Sequence, residues 1–228
     1  MMEFIGIFFW LFFLFGTSFI LGSFWSLVFT GKKYHLFVLP GVIVHEFSHV
    51  IGCLITGAGI KKIGILSSKG SYVAHTKPRI PLIGIFIISL APIAGGLLSL
   101  FLLFRFFNYP QPEMNLFLGF DSFFLLIKQA LNFSLNYYSN WHFWLFSYIA
   151  LSIVICLVPS KQDFKNSLVS LIVLSILILL FLYFGIFSEK IILFLNYYLV
   201  GALGMGVFFG LIAFLASIPF YLIKKIFF

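Results

Sequence analysis

PGVIVHEFSHVIG runs from Pro40 to Gly52, and outside its centre it has the composition of a membrane helix. Between Glu3 and Glu113 the chain carries a single acid, Glu46, and it stands inside this apolar run. His45 precedes it and His49 follows three residues later. A charge at the middle of a spanning helix costs about 2.5 to 3.5 kcal/mol on insertion scales. With Leu36 to Thr56 as the span, His45 and Glu46 lie about ten residues from either end, about 15 Å deep at a rise of about 1.5 Å per residue. An ionisable group held at that depth marks a functional site.

The rest of the chain sets the context. Of 228 residues, 62% are hydrophobic and only 9% charged, and the mean hydropathy is +1.17. A soluble domain of this length has a largely polar surface and cannot hide so many apolar residues. The expected class is therefore an all-α polytopic membrane protein. Six runs have the roughly 20 apolar residues a bilayer core requires. They are Phe4 to Phe29, Leu36 to Thr56, Ile80 to Phe107, Trp141 to Val158, Leu168 to Phe187 and Tyr198 to Ile223. The first lacks a basic leader and a small-residue cleavage site, so it reads as a span and not as a signal peptide. The whole chain, 1–228, reads as one transmembrane domain. Gly201, Gly204, Gly206 and Gly210 in the last run read as a helix-packing face.

Two connections have structure of their own. Ile60 to Leu66 and Ser71 to His75 are β-prone runs around Ser-Ser-Lys-Gly, which predicts a β-hairpin after the second span. The stretch from Asn108 to Asn140 is too long for a bare loop, and FLGFDSFFLLIKQAL at its centre predicts a helix lying on the membrane interface. The net charge of +8 comes from basic residues in short loops, where they orient spans and meet anionic lipid. No stripe of cations with interleaved aromatics supports nucleic-acid binding. Counting Lys and Arg by side favours both termini inside, in the cytoplasmic membrane of a prokaryote. Cys53 and Cys156 fall inside predicted spans and are not expected to pair.

His45 and His49 are four apart, so on a helix they share a face and can hold one metal ion. Glu46 is turned about 100° from His45, within reach of a water on that metal. This is the HExxH arrangement: two neutral imidazoles suit Zn2+, which activates a water, and the carboxylate acts as its base. Zinc needs a third protein ligand. The candidates include His35, His75, His142, Glu113, Asp121, Asp163 and Glu189. Asp163 follows the fourth span, after Pro159, which can turn the chain back toward the metal. Ser160 or Asp163 could equally cap the next helix, and chemistry alone leaves the two roles open.

HExxH in an apolar span, then a β-prone loop, a span with Ala91-Pro92, and the later Pro159-x-x-x-Asp163 resemble the site-2 protease family of intramembrane zinc metalloproteases. The resemblance covers about residues 36–168, the expected catalytic core, and is strongest at HEFSH. The Asn that the family carries before its second proline and the Gly after its aspartate are absent here. The resemblance implies His45, His49 and Asp163 as zinc ligands and Glu46 as general base. It also implies a transmembrane protein substrate, engaged by the segment from Ile60 to Ala74. A metal-ion transporter and an inactive metal-binding scaffold are the alternatives. Retention of Glu46, which metal binding alone does not need, weighs against the second.

Overall fold

Runs of apolar residues without charge form helices in a bilayer because only a helix satisfies its backbone within one segment. The computed structural model describes residues 2–29, 31–67, 70–110, 120–158, 165, 172, 176 and 189–227. Its helices are α1 (Met2–Val28), α2 (Lys32–Phe37), α3 (Leu39–Thr56), α4 (Pro81–Phe106), α5 (Phe120–Tyr137), α6 (Trp141–Ile155) and α7 (Glu189–Phe227). Among the described residues, four stretches are long and apolar enough to cross a membrane: Phe9–Val28, Leu39–Thr56, Pro81–Phe106 and Tyr198–Leu222. The chain is a membrane protein on that ground. The fourth expected span is the shorter helix α6 of 15 residues. The fifth, Leu168 to Phe187, lies outside the described residues.

α6 stops at Ile155 for a reason legible in the chain. Pro159, four residues on, has no N–H to give the Ile155 carbonyl. Cys156 and Leu157 close a tighter turn, donating to Ile153 O at 3.0 Å and Val154 O at 3.2 Å. Carbonyls freed at a helix end inside a membrane need donors. Ser18 on α1, 1% exposed, supplies one, its hydroxyl reaching Val154 O at 2.7 Å and Ile155 O at 3.1 Å.

Contacts fix the relative directions of the helices. α3 and α4 run antiparallel, with Gly52 against Ile88 and Ala91 and Gly84 against Thr56. α3 and α6 run parallel: Tyr148 Oη donates to Phe37 O at 3.0 Å, Gly41 meets Ser152, and His45 meets Cys156. α1 and α7 also run parallel. Gly206 packs on Leu14, Gly210 on Thr17, and Trp25 Nε1 donates to Ser217 Oγ at 3.0 Å. Two of the four glycines expected to bring helices together thus do so, whereas Gly201 faces open space.

In a bilayer crossed by both α1 and α7, the start of α1 and the end of α7 lie on opposite faces. An even count of six crossings had brought both termini to one side.

The hairpin is present, as β1 (Ile60–Ser67) paired antiparallel with β2 (Gly70–His75). Its Val73 packs on the small core of Cys53, Ala58 and Ile88, which docks the sheet on the C-terminal end of α3. α5 is helical as expected. It does not lie free on a surface, since Leu126, Ala130 and Phe133 are built into the main core with Leu14, Phe104 and Phe208.

Candidate metal centre

α3 holds the HExxH residues, and its start shows how closely it is seated. Pro40 in its first turn has no N–H to satisfy. The next one, of Gly41, donates to Ser152 Oγ at 2.7 Å. A Cβ at residue 41 would fall onto the Ser152 carbonyl and lie 2.9 Å from Ile153 N. Glycine therefore lets the α3 and α6 backbones touch. Four residues further along each chain segment, the same contact brings His45 and the Cys156 carbonyl together.

His45 Nδ1 lies 2.7 Å from Cys156 O, and His49 Nδ1 lies 2.8 Å from Ile88 O. A carbonyl oxygen can only accept, so each Nδ1 carries the proton. In the neutral ring this leaves Nε2 as the lone-pair nitrogen. Backbone carbonyls thus fix the tautomer and orientation of both rings, the outer-shell arrangement of metal-binding histidines. The ring centroids are 4.9 Å apart. Both carbonyls have structural reasons to be where they are. Cys156 sits in the turn beyond the end of α6, and Ile88 sits on α4 beside Gly52.

Glu46 is 4% exposed, and its Oε2 has no hydrogen-bond partner among the described residues. An unsatisfied buried carboxylate oxygen is expensive in a structural residue. Here it is an acceptor held ready one residue from His45. Ser48 flanks the site, bonded back to Val44 O at 2.6 Å and seated on Gly95, whose Cβ position its hydroxyl would overlap.

The remaining candidates are spread apart. His75 Nδ1 bonds Thr76 O at 2.8 Å, at the end of the hairpin. His142 is exposed and bonded to Asn140, the N-cap of α6. His35 is exposed on α2. Among the described residues no three His, Cys, Asp or Glu gather to hold a metal. Asp163 and Glu113 lie outside the described residues. The structure therefore brings together His45, Glu46 and His49.

Cys156, Ile88, Gly41 and Ser18 were not legible as site residues, because three of them act through backbone atoms or the lack of a side chain. The one usable signal in the sequence was Pro159, whose missing N–H predicts a helix end about one turn earlier. No family model, no curated protein and no solved structure matches this chain.

Proposed function

We propose that the chain is an intramembrane zinc metalloprotease of the site-2 type, hydrolysing peptide bonds of membrane-spanning proteins. The observation that carries this reading is the pair of imidazoles with Nδ1 committed to carbonyls beside a buried carboxylate with a free oxygen. That donor set fits zinc: two Nε2 lone pairs share one helix face, and further outer-shell groups are already in place. A zinc ion bound there would supply Lewis acidity and lower the pKa of water.

The protein's own groups do the rest. Glu46 Oε2 accepts a proton from the attacking water as its oxygen bonds the scissile carbonyl carbon. It returns that proton to the amide nitrogen as the C–N bond breaks. The carbonyls of Cys156 and Ile88 keep both rings aligned. The hairpin supports the substrate side of the reading, since each strand of a two-stranded sheet keeps an open edge. An unfolded stretch of substrate can pair there and expose its amides. Asp163, seven residues beyond Cys156, is the proposed third ligand, and the hairpin face is the proposed inner face.

One experiment tests the reading: zinc content measured beside cleavage of a single-span membrane protein. Glu46→Gln is expected to keep zinc and lose cleavage, and Asp163→Ala to lose both. Normal cleavage by Glu46→Gln excludes the mechanism. Full zinc in Asp163→Ala transfers the third ligand elsewhere.

A further inference from the structure

At the hairpin face, α3 ends next to the start of α4. Gly57 caps α3 at φ 69°, ψ 22°, a left-handed conformation that favours glycine. After the hairpin the chain returns to Arg79, whose N–H donates to Thr56 O at 3.1 Å. The Arg79 side chain lies across Gly57. Its Cγ, Cδ and Nε fall 2.9, 2.9 and 2.8 Å from the place a Cβ would take. This bare cap thus leaves the space in which the arginine lies.

Beneath the arginine a groove of about 330 Å³ opens between the two helices, walled by Leu54, Ile55, Ile80, Ile83 and Ile87. Ile55 is 70% exposed and Ile80 61%. Thr56, also in the wall, has its hydroxyl committed to Gly52 O at 2.8 Å. Arg79 is therefore the one charged group at an otherwise apolar groove, and it has no carboxylate partner among the described residues. The surroundings repel cations and lack anions. Lys61, Lys62 and Lys77 are nearby in the sequence, and no acid occurs from Phe47 to Pro112.

We propose that this groove binds an anionic phospholipid, with its phosphate on the Arg79 guanidinium and one acyl chain along the isoleucines. The fork of an arginine matches phosphate oxygens two at a time. The wall below it offers nothing for a second polar group, which fits a hydrocarbon chain and not a peptide carboxylate. The inference holds whether or not the chain is a protease.

The test uses the full chain in neutral detergent, titrated with dioleoylphosphatidylglycerol or dioleoylphosphatidylcholine. Native mass spectrometry counts retained lipid, and thermal unfolding reads its effect. Phosphatidylglycerol is expected to be retained and to raise the unfolding midpoint, while phosphatidylcholine does neither. Arg79→Gln should weaken phosphatidylglycerol binding about tenfold, and Ile83→Asn should weaken it as well. Arg79→Lys, which keeps the charge over Gly57, should recover part of the loss and carries the test where Arg79→Gln does not fold. Glycerol 3-phosphate, the headgroup without chains, should shift nothing. The proposal is overturned by an equal response to both lipids or by a full shift from glycerol 3-phosphate. It is also overturned if Lys61→Gln with Lys62→Gln loses as much as Arg79→Gln, which would mean a diffuse charge effect.

Discussion

Serines of the same type have opposite roles in this membrane bundle, and their partners decide which. Ser18 satisfies two carbonyls at the end of α6. Ser18→Ala takes from Ile155 O the hydroxyl that satisfies it, while Val154 O keeps the Leu157 N–H, and should lower stability by about 1 to 3 kcal/mol. Ser147 is 2% exposed and its hydroxyl has no hydrogen-bond partner among the described residues. It faces an apolar cavity of about 270 Å³ walled by Trp25, Phe37 and Trp144. Ser147→Ala removes an unsatisfied group and should leave stability unchanged or raise it by up to about 1 kcal/mol. Denaturant unfolding of both variants in one detergent checks the pair, and a clear loss from Ser147→Ala would reveal a partner for that hydroxyl. At this scale the sequence was informative where chemistry resides in side chains. His45, Glu46 and His49 stand out as polar atoms in an apolar run. The carbonyls that aim them do not, since every residue carries one.

Between elements, the approach of α3 to α6 controls how His45 is held. Gly41→Ala pushes a methyl group onto the α6 backbone, and overpacking of this kind costs about 1 to 3 kcal/mol or more. The backbones must separate, and Cys156 O then leaves His45. Zinc affinity should fall about 10- to 100-fold, the usual effect of losing an outer-shell partner. Titration against a competing chelator measures it, and unchanged affinity would show that His45 is held by other means. The hairpin makes a second element-scale prediction. Ile65 lies where the strand pairing is irregular, between Gly64 and Ser67. If its backbone pairs with substrate, Ile65→Pro should reduce cleavage strongly with zinc retained, while Ile65→Val does little. Equal cleavage by both variants would leave the hairpin as a seal for the helix bundle. The hairpin was legible from β-prone runs around a glycine turn. The burial of one face of α5 was not, because a helix with apolar residues on two sides reads alike on a lipid surface or against a protein core.

For the whole molecule, the class was legible from composition, and the parallel pairing of the first and last helices was not. Counting spans adds one crossing for every apolar run, so a single miscounted run reverses everything after it. Side-chain contacts such as Trp25 with Ser217 are free of that accumulation. Reporters fused before α1 and after α7 should therefore give opposite accessibility in sealed vesicles, and matching signals would contradict parallel packing. The early end of α6 also leaves that helix short. Its 15 residues reach about 23 Å, less than the roughly 30 Å of hydrocarbon in a bilayer. Val154 and Leu157 at that end are buried in the bundle, so neighbouring helices and not lipid close the shortfall. The short helix thus brings a polar backbone end, the Cys156 carbonyl, beside His45, at a level where a longer helix would have closed that carbonyl into its own ladder.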